Sequence, residues 1–112
     1  MKKRTKRFAL DIIHLVGELP KTTVGRAIGG QLVRSGTSVG VNYRAACRGK
    51  SKADFIAKLG IVEEEADESC YWLELLIEGA LAEKQRAELL LKEASELTAI
   101  IVASRKTAGS VK

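Results

Sequence analysis

The sequence predicts an all-α fold, an antiparallel up-down-up-down four-helix bundle forming a single domain over 1–112. Three observations carry that expectation. Proline occurs once in 112 residues, at Pro20. Apolar residues recur at three- and four-residue spacing, and no stretch alternates with a period of two. Short polar or glycine-containing breaks then divide the chain into four segments, predicted at about 3–18, 23–47, 52–79 and 83–104. Connections this short between long helices favour antiparallel neighbours, and a chain of this length supports one hydrophobic core.

The first helix places Phe8, Ile12, Leu15 and Leu19 at helical spacing, with Leu10, Ile13 and Val16 widening the apolar face. Pro20 stops it. Thr22 or Thr23 supplies a hydroxyl to cap the second helix. That helix aligns Val24, Ile28, Leu32, Ser35, Val39, Asn42 and Ala46. It also carries Gly25, Gly29, Gly30, Gly36 and Gly40, each costing about 1 kcal/mol relative to alanine inside a helix. The Gly25–Gly29 and Gly36–Gly40 spacings put small residues on one ridge that another helix can approach closely. The alternative is a helix broken near Gly29–Gly30 or Gly36.

Ser51, three residues before Asp54, marks a capped start for the third helix. Phe55, Leu59, Val62, Ala66, Ser69/Cys70, Leu73 and Leu76/Ile77 then form its buried stripe, with Gly79 as the stop signal. The fourth helix presents Leu89, Leu90, Ala94, Leu97, Ile100 and Ile101 inward and Glu83, Glu88, Lys92, Glu93 and Glu96 outward. Residues 105–112 lose the period and are expected to fray.

Charge is split along the chain. Residues 1–52 carry a net +10 and residues 53–112 a net −5, which together make the overall +5. Such a split implies a polyanion-binding face, internal pairing between the halves, or both. No uncharged apolar run is long enough to span a membrane. The basic start lacks the apolar stretch and cleavage site of a signal peptide. A cytoplasmic protein is expected, with Cys47 and Cys70 as reduced, packed thiols.

Little points to catalysis, and no enzyme, cofactor or metal is expected. The run Glu63-Glu64-Glu65-Ala66-Asp67-Glu68 invites comparison with di-iron bundles. Those need Glu-xx-His pairs facing inward, and the single histidine here, His14, belongs to no such pair. The carboxylates are better read as pairing partners. Arg44 and Arg48 are expected to meet acids among Asp54, Glu63, Glu64 and Asp67, with Arg34 nearer Glu68. Lys2, Lys3, Arg4, Lys6 and Arg7 have no comparably dense acidic partner in sequence. They are either a solvated helix end or a set of phosphate contacts with strong salt dependence and no base readout.

The pattern Gln31-xx-Arg34-xxx-Ser38-Val39-xx-Asn42, then Ser51-xxx-Phe55-xxx-Leu59-x-Ile61, then Glu68, resembles the 23S rRNA-intervening sequence protein family. The resemblance spans most of the chain. It implies a small antiparallel bundle that assembles into rings, commonly pentamers, and is similar in fold to accessory proteins of diversity-generating retroelements, which associate with reverse transcriptase and nucleic acid. Two positions depart from the family pattern. Ala45-Ala46 stands where a Glu-Gly pair is usual, and Glu64-Glu65 where a Gly-Ser pair is usual. This looks like a carboxylate moved between helices across one contact, with Arg44 or Arg48 as its partner.

The resulting expectation is a non-enzymatic homo-oligomer with RNA or DNA and a nucleic-acid-processing protein as candidate partners and no membrane contact. Gly25, Gly29, Arg34, Gly36, Ser38, Gly40 and Asn42 would serve helix packing or a subunit interface; Arg44, Arg48, Glu64, Asp67 and Glu68 would pair between helices. The alternative is a protein scaffold that binds no nucleic acid.

Overall fold

In a computed structural model that describes residues 1–110, four helices follow one another: α1 (Lys2–Gly17), α2 (Thr23–Cys47), α3 (Lys52–Glu78) and α4 (Lys84–Ser110). Each packs on its neighbour in the chain, and α1 also meets α4. The contacts close a ring of helices in which α1 and α3 stand diagonally, as in an up-down-up-down bundle. Among the described residues no helix is long and apolar enough to cross a membrane.

The core is one continuous column. Phe8, Ile12 and Leu15 enter from α1, Leu32 and Val39 from α2, Leu59, Val62, Leu73 and Leu76 from α3, and Leu97 and Ile101 from α4. One polar contact lies inside it. The hydroxyls of Ser35 (α2) and Ser69 (α3) are fully buried and hydrogen-bonded at 2.9 Å. Buried hydroxyls are tolerable when they satisfy each other, and this pair fixes the α2–α3 register more sharply than methyl groups would.

α1 approaches α2 over the glycine ridge. A Cβ on Gly29 would stand 3.0 Å from Val16, and one on Gly36 would stand 3.1 Å from Ile12. At Gly25 it would lie 2.1 Å from the Pro20 carbonyl oxygen, so the α1–α2 turn is folded directly against that residue. The helix runs unbroken through Gly29, Gly30 and Gly36.

The helix ends follow local chemistry. Thr22 Oγ1 accepts from the Gly25 N–H at 3.1 Å, and Ser51 Oγ accepts from the Asp54 N–H at 3.0 Å. Asp54 Oδ2 reciprocates by accepting from the Lys50 N–H at 3.2 Å. At the end of α3 the Leu81 N–H reaches back to the Leu76 carbonyl at 2.9 Å, closing a Schellman motif. Its left-handed residue is Ala80 (φ 54°), with Gly79 still right-handed at φ −84°.

Four expectations change. Val24 is exposed, because α1 sits on the glycines and turns the buried stripe of α2 by one residue. Leu10 and Ile13 are exposed, because α1 packs mainly on α2 and only lightly on α4, so a narrow stripe suffices. Leu89 is likewise exposed on α4, at 63% of its surface. Finally, α4 does not lose its helical form at 105 but continues to Ser110. Arg105 Nη2 sits 2.6 Å from Glu63 Oε1 of α3 and ties that last stretch down. Residues 111–112 of the expected frayed tail lie outside the described residues.

Candidate nucleic-acid interface

The five basic residues at the start of α1 separate into two groups. Arg4 is engaged across the bundle: its Nε and Nη2 donate to the two carboxylate oxygens of Glu93, both at 2.7 Å, and Nη2 also reaches Glu96 at 3.0 Å. That bidentate pairing raises the Arg4 pKa further above its already high value and holds the Glu93 carboxyl below the usual carboxylate range. Arg7 lies 3.4 Å from Asp11 one turn on. Arg4 is thus engaged through Nε and Nη2 and Arg7 by a longer contact, so both are less free to meet a phosphate than the lysines beside them.

Lys2, Lys3 and Lys6 remain. They are exposed, and among the described residues none makes an ion pair. With Arg44 of α2 they border an open groove of about 430 Å³ between α1 and α2. Its floor is small and apolar, formed by Ala9, Gly40 and Val41 with Thr5 and Thr37. No acid borders it. The groove between α1 and α4 contrasts with this one: Arg7 and Arg86 there stand beside Asp11 and Glu93. The first turn of α1 adds to the positive potential, since it contains no acid and no side chain caps it.

Arg44 and Arg48 were expected to meet the acids of α3, and they do not. Among the described residues neither makes an ion pair, and both are exposed near the end of α2. The acids find other partners. Glu65 and Glu68 pair with Arg34 (Nη1 to Glu65 at 3.1 Å), Glu63 with Arg105, and Asp54 with Lys58 at 2.9 Å. Lys58 and the Lys50 N–H together lower the Asp54 pKa. Glu64 and Asp67 are exposed and belong to no pair among the described residues. The expected carboxylate swap across one contact is not seen: Glu65 pairs with Arg34, about three turns along α2 from Ala45. The cause is rotational: Glu65 and Glu68 lie on the flank of α3 facing α2, whereas Glu64 points to solvent.

Arg34 anchors a wider polar network. Gln31 Oε1 accepts from Arg34 Nε at 3.4 Å, and Trp72 Nε1 donates to Glu68 at 3.0 Å. The other polar residues singled out on α2 bond inward to their own helix. Ser38 Oγ donates to the Arg34 carbonyl at 2.7 Å, and Asn42 Nδ2 to the Ser38 carbonyl at 2.8 Å. Gly25, Gly29, Gly36 and Gly40 all face α1 or its connecting turn.

The thiols behave differently from each other. Cys47 is exposed rather than packed, because α2 ends there. It lies beside the Tyr43 phenol, whose pKa is raised mainly by burial. Cys70 is half-buried at 3.7 Å from Ser95 Oγ, and burial pushes its pKa up, away from reactivity.

A family model described as 23S rRNA-intervening sequence protein matches residues 1–103. The chain belongs to that family. It is also similar to a crystal structure of a protein of unknown function from the S23 ribosomal protein family of Bacteroides thetaiotaomicron VPI-5482. The two share 35% sequence identity over 94% of this chain and 97% of the other, with a TM-score of 0.83. No curated protein matches. The residues that carried the family resemblance, Gln31, Arg34, Glu68 and their neighbours, are those that join α2 to α3. Lys2, Lys3 and Lys6 of α1, and Arg44 on the flank of α2 toward α1, stand outside that pattern.

Proposed function

We propose that this member of the 23S rRNA-intervening sequence family is a non-enzymatic, homo-oligomeric module that holds the phosphate backbone of nucleic acid in the α1–α2 groove. The single observation that carries the reading is the convergence of Lys2, Lys3, Lys6 and Arg44, unpaired among the described residues, on a groove that no described carboxylate borders. Cations kept free of internal partners release counterions on meeting a polyanion, and that release drives association without base recognition. Assembly into a ring, as the family resemblance implies, would repeat the groove and convert weak single contacts into avidity.

The test is direct binding of mixed-sequence RNA and DNA at low salt, together with a solution mass. Wild type is expected to bind as an oligomer. The quadruple variant Lys2→Ala/Lys3→Ala/Lys6→Ala/Arg44→Ala is expected to lose about 100-fold or more in affinity at low salt while keeping its helicity. Absence of binding by folded wild type at low salt would overturn the reading and leave a protein scaffold in its place.

A further inference from the structure

We propose that the ligand of the basic groove is paired strands, the backbone of an RNA or DNA duplex, in preference to an unpaired strand of the same length. The inference rests on the phosphate-binding reading above and deepens it.

Proteins that capture unpaired strands stack bases on aromatic side chains. The groove has none. Phe8 is buried in the core, and Tyr43, Phe55 and Trp72 are packed against it. Tyr71 alone among the aromatics is well exposed, and it lies on α3, diagonal to α1 and without contact to it. A base leaving its stack to enter this groove would find no ring to replace the contacts it gave up.

The hydroxyls in the groove are also committed. Thr5 Oγ1 is buried and donates to the Lys2 carbonyl at 3.2 Å, and Thr37 Oγ1 donates to the Val33 carbonyl at 2.7 Å. What remains for a ligand is positive charge on two rigid walls. Their separation is set by the seating of α1 on Gly36 and Gly40. A site of this kind responds to the density of phosphate charge, which is greatest on a duplex. Counterion release per contact is correspondingly larger, about 0.9 against 0.7 for single strands. Over four contacts that difference amounts to about 0.8 logarithmic units per decade of salt, or a roughly sixfold preference at 0.1 M relative to 1 M. The same charge-only chemistry serves a ribose or deoxyribose backbone equally.

Competition binding on the full-length protein tests this with four probes of equal length and sequence: duplex RNA, duplex DNA, and one unpaired strand of each. Both duplexes are expected to outcompete their own single strands at 0.1 M salt, with the ratio shrinking by about sixfold per decade of added salt. The RNA and DNA duplexes should agree within about threefold, and the preference should vanish in the quadruple alanine variant. Single strands binding as tightly as duplexes would overturn the proposal while leaving phosphate binding in place. An RNA duplex bound more than about tenfold tighter than DNA would overturn the shared-backbone claim. Failure of all four probes to bind would remove both this inference and the reading beneath it.

Discussion

At the scale of single residues, small differences of environment separate side chains that look equivalent in sequence. Gly25 and Gly30 both occupy the first half of α2, yet a Cβ would meet the Pro20 carbonyl at the first and open space at the second. Gly30→Ala is therefore expected to stabilise the protein by about 0.5–1 kcal/mol, the ordinary gain from a better helix former. Gly25→Ala is expected to destabilise it by about 1–3 kcal/mol despite that same gain. Chemical denaturation of both variants checks the contrast. Ala80 offers a second case, since a left-handed alanine costs about 1 kcal/mol and glycine removes that cost. Ala80→Gly should raise the denaturation midpoint.

Arg4 and Glu93 give the chain an acid-sensitive contact. Because Arg4 lowers the Glu93 pKa in the folded state, the pair contributes stability above the ordinary glutamate range. That contribution is lost as pH falls from about 4.3 through the depressed folded value. Wild type should consequently lose more stability than Arg4→Ala across that window, measured as unfolding free energy against pH. Equal losses would show that the pair does not hold in solution.

At the scale of helices, much was legible in sequence and the exceptions share a cause. The stripe of α3 from Leu59 to Leu76 was readable because it faces two partners at regular spacing. The caps at Thr22 and Ser51 were readable because capping is local chemistry. Val24, Leu10, Ile13 and Leu89 were misread because hydrophobicity alone does not reveal how wide a face the neighbours cover. The end of α4 was misplaced for a related reason: its last turns are held by Arg105 and Glu63, a long-range pair that no local period announces.

The same limit applied to charge. The Arg34–Glu68 pairing was anticipated because both ends of the hairpin could be aligned by spacing. Arg4 with Glu93 could not be, since 89 residues separate them and the pairing depends on how the fourth helix closes against the first. Only half of the signal was present: Glu93 lies on the edge of the α4 stripe and is partly buried, whereas Glu96 is exposed. Arg44 was assigned to the wrong side for a similar reason. It lies on the flank of α2 toward α1, bordering the groove with Thr37, Gly40 and Val41.

At the scale of the whole molecule, antiparallel packing gathers the start of α1, the end of α2, the start of α3 and the end of α4 at one end of a body about 50 Å long. Lys2, Lys3, Lys6, Arg44, Arg48, Lys50, Lys52 and Lys106 meet there beside Asp54, Glu93 and Glu96, while the other end mixes Glu18, Glu74, Glu78, Glu83 and Glu88 with Lys21, Arg26, Lys84 and Arg86. The first end thus holds the larger excess of positive charge, which would orient a polyanion toward the groove before contact.

The dependence of nucleic-acid affinity on salt tests the central claim most directly, compared among wild type, the Lys2/Lys3/Lys6/Arg44 alanine variant and Arg4→Ala. Wild type should give a logarithmic slope of about −3 to −4 per occupied groove, the quadruple variant a slope near zero, and Arg4→Ala a slope close to wild type. A slope unchanged by the quadruple substitution but reduced by Arg4→Ala would contradict the account, placing the contact on the α1–α4 side of the bundle instead.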